Sequence, residues 1–99
     1  MIDLAPYQAS IAAICQELDI KRLDLIGSAT RDDFHPDSSD IDVLVEFEGT
    51  SDLFHRYFVF KERLESLFGR KVDVIQAGAV KNPYVRETIE RDRMLIYGS

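Results

Sequence analysis

The sequence is poor in cysteine, in long apolar runs and in basic charge. The single cysteine, Cys15, has no second thiol with which to form a disulfide within the chain. The longest apolar runs cover only a few residues, far below the roughly 20 that a membrane-spanning helix needs. The first ten residues lack the basic start and apolar core of a signal peptide. These absences predict a cytoplasmic protein with no membrane role.

Basic side chains are outnumbered by acidic ones. Twelve Lys and Arg stand against eighteen Asp and Glu, which gives a net charge of −6. A surface of this sign repels polyphosphate backbones over most of its area. We therefore expect no direct binding to nucleic acid.

What the chain does have is enough apolar material for one core. Its 99 residues are 45% hydrophobic and 30% charged, without internal repeats or a linker-like segment. That length and composition are typical of one globular domain. We expect a single domain over residues 1–99.

Helices are predicted from capping residues and from apolar residues at helical spacing. The first carries Cys15 on its apolar stripe, so this thiol is expected to be buried and structural. A glycine ends the second helix. The predicted helices run from Asp3 to about Leu18, from Ser51 or Asp52 to Gly69, and from Asn82 to about Arg91.

Strands are predicted where short apolar segments alternate or are stopped by turn residues. They cover Arg22–Ile26, Asp40–Phe47, Lys71–Gln76 and, as a short last strand, Met94–Tyr97. Residues 27–39 are predicted to form a loop that starts with a helical turn. Strands separated by helices indicate an α/β or α+β domain with helices packed on a sheet.

Three aspartates in two of these strands, Asp40–Phe47 and Lys71–Gln76, need a chemical explanation, because aspartate is depleted in strands. Asp40 and Asp42 are two residues apart, so they project from the same side about 6 to 7 Å from each other. Asp73 can join them if its strand lies alongside. Like charges at about 6 Å repel by roughly 3 kcal/mol per pair at an effective dielectric of about 20, and a cation would reverse that sign. The acids therefore predict a Mg²⁺ site, although solvated carboxylates on an exposed sheet face remain the alternative.

A second feature precedes the paired acids. Gly27 allows the backbone to approach an anion closely, while Ser28 and the following amides can donate to phosphate oxygens. An ordinary turn after a strand is the alternative interpretation. Next to an acidic strand, this turn indicates chemistry on a phosphate group with a metal ion.

These residues together resemble the signature of the minimal nucleotidyltransferases, small members of the DNA polymerase beta-like superfamily. The resemblance covers nearly the whole chain and includes the GRKVDV segment and the NPYVRETIERDRMLIY ending. It rests first on Gly27-Ser28, Arg31, Pro36 and the segment from Ser39 to Phe47. It implies an α+β nucleotidyltransferase fold, in which helices flank a mixed β-sheet, with two Mg²⁺ ions and ATP as the usual donor of a nucleoside monophosphate.

The resemblance also implies roles for individual residues. Gly27 and Ser28 would hold the β- and γ-phosphates of ATP. Asp40 and Asp42 would bridge both metal ions, and Asp73 would hold the catalytic ion and help to activate the attacking hydroxyl. Arg31 could pair with the triphosphate as a bidentate donor, or it could be a solvent-exposed loop residue.

Members of this size resemble the antitoxins of HEPN/MNT toxin–antitoxin pairs. The resemblance implies transfer of AMP from ATP to a tyrosine of a HEPN ribonuclease toxin, and an acidic surface would suit docking on such a basic partner. Two alternatives stay open. The chain could neutralise its partner by binding alone, or it could adenylylate a small hydroxylated molecule.

Overall fold

The computed structural model describes residues 3–30 and 40–98, with backbone only for Ser28 and Ala29. These residues form one four-stranded sheet and three α-helices. The strands are β1 (Ile20–Ile26), β2 (Ile41–Phe47), β3 (Val72–Gln76) and β4 (Met94–Gly98), and the helices are α1 (Gln8–Glu17), α2 (Leu53–Phe68) and α3 (Pro83–Asp92). Short 3-10 helices cover Ala5–Tyr7, Gly27–Thr30 and Ala77–Ala79.

The sheet is mixed, with the strand order β3-β2-β1-β4. Strand β1 is antiparallel to β2 and to β4, whereas β2 and β3 are parallel and are connected through α2. Parallel neighbours need such a crossover, because both strands start at the same edge of the sheet. This confirms the α+β architecture with helices flanking a mixed sheet.

Alternation along the strands divides the core between two faces of the sheet. The larger cluster packs α1 and α2 against one face, with buried side chains that include Ile41, Val43, Val45, Phe60 and Leu64. On the other face, Ile26 and Leu44 pack against Ile89, the buried residue of α3. Asp42 alternates with Ile41 and Val43, as the sequence pattern predicts, and the structure places α3 on the face that Asp42 occupies.

The predicted element boundaries agree with the structure to within a few residues, with one capping error. Asp52 adopts a left-handed conformation (φ 52°) and makes no side-chain capping bond at the start of α2. Asn82 does cap α3, since its side chain accepts hydrogen bonds from Tyr84 N and Val85 N. Gly69 ends α2 at φ 66°, and Cys15 is fully buried, as predicted.

A buried arginine stabilises the turn before α2, where the side-chain cap is missing. The Arg56 guanidinium donates to the carbonyl oxygens of four residues that lie in two turns, at 2.6 to 2.9 Å. It also lies over the Phe47 ring, 4.9 Å from the centroid. The four acceptors are Leu18, Asp19, Glu48 and Ser51.

Within residues 3–30 and 40–98, no helix combines the length and the apolarity needed to cross a bilayer.

Candidate active site

Asp42 and Asp73 face each other across two parallel strands. They are register partners in the β2–β3 pair and lie on the α3 face of the sheet. Their side chains are hydrogen-bonded to each other. The side chain of Asp73 therefore does join that of Asp42, and this contact depends on β3 pairing with β2 rather than with β1 or β4.

This juxtaposition makes Asp42 a weaker acid than usual. Partial burial raises the pKa of Asp42 to about 6, and the negative charge of Asp73, its hydrogen bond and the charge of Asp40 add to the effect. A proton on Asp42 avoids the repulsion that two ionised carboxylates in contact would cause. A positive charge at this position would favour the ionised pair.

Asp40 lies at the entrance to the pair. It is exposed and directly precedes β2, rather than lying inside a strand as expected from the sequence. Its two-residue spacing still places it on the side of Asp42, and its charge contributes to the raised pKa of Asp42. The three predicted acids thus lie at one edge of the sheet.

Gly27 lies at the same edge of the sheet, directly after β1, which is the other neighbour of β2. Ile26, the last residue of β1, is the register partner of Asp42, so Gly27 follows next to the carboxylate. A Cβ atom on Gly27 would lie 2.7 Å from Asp42 Oδ2, and the residue has φ 71°. Thr30 Oγ1 donates to Gly27 O at 2.8 Å and closes the helical turn. Only glycine combines this conformation with such close approach to the acid.

Side chains of α2 fix β3 around Asp73. Lys61 Nζ donates to Val72 O at 2.6 Å, and Tyr57 Oη donates to Val74 O at 3.0 Å. Val72 N donates to Glu65 Oε2 at 3.0 Å, and this bond lowers the pKa of Glu65. These contacts satisfy the outer edge of β3 on both sides of Asp73. Their spacing of four residues on α2 was a signal available in the sequence.

A buried ionic network lies deeper on the same face. Asp24 in β1 is 0% exposed and accepts from Arg22 Nε at 3.0 Å and from Arg93 Nε at 3.1 Å, with a further bond from Arg93 Nη2. Arg93 also donates to Glu90 at 2.5 Å. The network ties the end of α3 to the sheet beside the candidate site.

Sequence reasoning missed this network, although a signal for it existed. Asp24 is also an aspartate inside a strand, with Arg22 two residues before it on the same face. An aspartate inside a strand, which is uncommon, therefore marks one of two different situations. One is an ion pair that holds elements together, and the other is an acidic cluster with which no cation forms an ion pair in the described part of the chain.

Two of the predicted ligands of the triphosphate lie partly or wholly outside the described residues. Ser28 has its backbone in the helical turn Gly27–Thr30, while its side chain lies outside the described part. Arg31 also lies outside the described residues. Their roles stay predictions.

The oxygen-rich edge suits a hard cation that brings most of its own ligands. Within residues 3–30 and 40–98, no group of three or more His, Cys, Asp or Glu is preformed to hold a metal ion. Carboxylate oxygens in small number are nevertheless the ligands that Mg²⁺ prefers, because it keeps several waters and binds substrate phosphates. Asp40, Asp42 and Asp73 fit that donor set.

The chain is similar to known nucleotidyltransferases along nearly all its length. The nucleotidyltransferase domain family matches residues 9–96. A protein of Methanocaldococcus jannaschii that is provisionally named a protein adenylyltransferase is 40% identical over 82 residues, which span 83% of this chain and 80% of its own.

Solved structures share the fold. A structure described as a minimal nucleotidyltransferase superposes with a TM-score of 0.76 at 26% identity, over 92% of this chain and 90% of the other. A toxin–antitoxin structure with AMP-PNP gives a TM-score of 0.73 at 18% identity, over 94% and 74%. A tri-AMPylated Shewanella oneidensis HEPN toxin in complex with its MNT antitoxin gives 0.65 at 16%, over 93% and 70%.

Proposed function

This chain belongs to the nucleotidyltransferase domain family and is a nucleotidyltransferase, and we propose that it transfers AMP from ATP to a tyrosine hydroxyl of a HEPN-type toxin. In this proposal the reaction depends on Mg²⁺, and the chain acts as the antitoxin of its partner. The observation that carries the catalytic part is the contact between Asp42 and Asp73, with the backbone of Gly27 against Asp42.

The acceptor class is supported by the relatives. The Methanocaldococcus jannaschii protein is named for transfer to proteins, and the structure of an AMPylated HEPN toxin with an MNT antitoxin contains a chain of the same fold. The net charge of −6 favours association with a basic, RNA-cleaving partner.

In the proposed reaction the acceptor oxygen attacks the α-phosphorus of ATP. The new oxygen–phosphorus bond forms as the bond to the β-phosphate bridging oxygen breaks, so pyrophosphate leaves in line with the attack. Asp73, on the β3 side of Asp42, positions the acceptor and receives its proton. Gly27, on the β1 side, allows the backbone and Ser28 to bind the β- and γ-phosphates, and Arg31 adds a bidentate donor to the triphosphate.

Asp40, Asp42 and Asp73 would hold Mg²⁺ in this site. When bound, it would supply Lewis-acid stabilisation of charge on the phosphate oxygens and on the attacking and leaving oxygens. The raised pKa of Asp42 supports this role, since the carboxylate lies where a bound cation, rather than solvent, would stabilise its negative charge.

The proposal is tested with ATP that carries its label on either the α- or the γ-phosphate. Purified chain, Mg²⁺ and the candidate HEPN protein should place the α-label, and not the γ-label, on a tyrosine of that protein. Asp42→Asn and Asp73→Asn should each reduce labelling by about 10³-fold, because metal stabilisation is worth several kcal/mol. Asp3→Asn is the matched control, since Asp3 is exposed and lies before α1, outside the strands that carry the three acids.

Three outcomes separate the alternatives. Full neutralisation of the toxin by the Asp42→Asn variant would show that binding alone is sufficient. Label in a small acid-soluble product would identify a small hydroxylated acceptor. Transfer that persists in EDTA would contradict the dependence on Mg²⁺.

A further inference from the structure

Two phenylalanines on α2 face solvent instead of the core. Phe54 is 80% exposed and Phe58 is 51% exposed, and their ring centroids are 4.7 Å apart. Phe58 also contacts the Tyr57 ring in an edge arrangement at 5.2 Å. Because residues four apart lie on one helix face, the two rings form a continuous apolar strip along α2, which we call the aromatic strip. Paired exposed aromatics of this kind mark interaction surfaces more often than isolated ones do.

A groove lies beside the first turn of α2. Its volume is about 460 Å³. Leu53, which precedes Phe54, lines the groove together with Val45, Phe47, Gln76, Ala77 and Gly78. Val45 and Gln76 are register partners three residues beyond Asp42 and Asp73, so the groove lies about 10 Å further along the strands. The surface is therefore outside the candidate active site.

The ends of the aromatic strip are acidic. Glu48 and Asp52 lie in the turn before α2, and Glu62 follows Phe58 by one helical turn. In the part of the chain that the structure describes, none of these three carboxylates forms an ion pair. Arg56 is the cation nearest in sequence to Asp52, but it is buried and its guanidinium donates to backbone carbonyls.

We propose that the aromatic strip and its groove bind an α-helix of a partner protein that carries an apolar stripe flanked by Lys and Arg. The two rings would be the anchors, because aromatic side chains contribute most where they become fully desolvated. The acids at both ends select a basic partner, since unpaired negative charge at the rim attracts cations and repels an acidic helix. In the proposed function the partner is the protein acceptor. Its helix would bind this surface, while its hydroxyl enters the active site elsewhere. This identification of the partner rests on the proposed function.

A model helix tests the surface directly. The probe is a fluorescein-labelled amphipathic peptide of Leu and Lys, about five helical turns long, and its anisotropy is measured at about 0.15 M salt without ATP. The wild-type chain should bind it, and Phe54→Ser with Phe58→Ser should weaken binding by at least about tenfold. The triple change Glu48→Gln, Asp52→Asn and Glu62→Gln should weaken binding and reduce its salt dependence.

Matched controls separate this surface from general attraction to an acidic protein. Tyr84→Ser removes an aromatic ring that is also 80% exposed but lies on α3, and it should leave peptide binding unchanged. A scrambled peptide of the same composition should bind weakly to every variant. Circular dichroism verifies that each variant is folded.

Several results would overturn the proposal. One is equal peptide affinity for the wild-type chain and the double phenylalanine variant. Another is a dimer in sedimentation that the same variant abolishes, because the occupant would then be a second copy of this chain. Peptide binding requires no catalysis, so intact binding together with absent AMP transfer would contradict only the proposed function.

Discussion

Asp42 and Asp73 share a hydrogen bond across the parallel strands β2 and β3. This contact lowers the stability of the metal-free protein when both carboxylates are ionised. The pKa of Asp42 rises from 3.8 to about 6 through burial and through the charges of Asp73 and Asp40. The folded state thus binds a proton more tightly than the unfolded state does. Stability from this group is fully present below about pH 4 and is lost as the pH rises through about 6.

Asp42→Asn should therefore stabilise the metal-free protein at pH 7 and above, with the difference from wild type disappearing near pH 4. Thermal unfolding from pH 4 to pH 8 in EDTA measures it. Added Mg²⁺ should raise the Tm of wild type at pH 7 and leave that of the variant unchanged. A variant that is less stable than wild type at pH 7 would contradict the prediction that the ionised carboxylate pair lowers the stability of the metal-free protein.

Gly27→Ala should reduce activity by more than its effect on stability explains. The new methyl group would lie 2.7 Å from Asp42 Oδ2, so the carboxylate must move. Gly69→Ala is a matched control, because Gly69 also has a positive φ (66°) but has nothing within 4 Å of its added Cβ. Both changes should cost about 1–2 kcal/mol of unfolding free energy from the left-handed backbone. Denaturant unfolding and AMP transfer, measured together, should show an activity loss in Gly27→Ala alone.

Asp24→Asn should be among the most destabilising single changes on the α3 face. It leaves the partly exposed guanidinium groups of Arg22 and Arg93 without their shared buried carboxylate, and hydrogen bonds between charged groups typically contribute about 1.5–3 kcal/mol. Glu90→Gln removes the exposed partner of Arg93 and should cost less than about 1 kcal/mol. Urea unfolding of the two variants provides the comparison, and equal losses would argue against Asp24 as the centre of the network.

Arg56→Met should destabilise the protein by at least about 2 kcal/mol, because carbonyl oxygens of the two turns lose their donor. Methionine keeps much of the apolar stem of arginine, so the loss of stability measures the contribution of the guanidinium group. Arg63→Met is the control, as Arg63 is partly exposed and pairs with the exposed Glu17. Chemical denaturation measures both. A loss at Arg56 no larger than that at Arg63 would mean that water replaces the guanidinium at little cost.

Local pattern was sufficient to predict the helices, the strands and the face on which Asp42 lies. Alternation at period two separates Asp42 from Ile41 and Val43 whatever the neighbouring strands are, and Gly69 ends α2 because a left-handed residue is needed there. The Asp52 cap was predicted wrongly, because the turn before α2 is stabilised by Arg56 from inside the helix. Its partners include Leu18 and Asp19, which are far away in sequence.

The sequence by itself determined which residues are acidic, which faces they occupy and, to within a few residues, where each element begins and ends, because these follow from contacts within a few residues. Only the tertiary structure decided that β3 pairs with β2, that Gly27 presses against Asp42, and that Asp24 and Arg56 are buried among their partners. Strand order and burial depend on contacts between distant segments, and many arrangements satisfy the same local pattern. The packing of the whole chain selects the one in which Asp73 lies opposite Asp42.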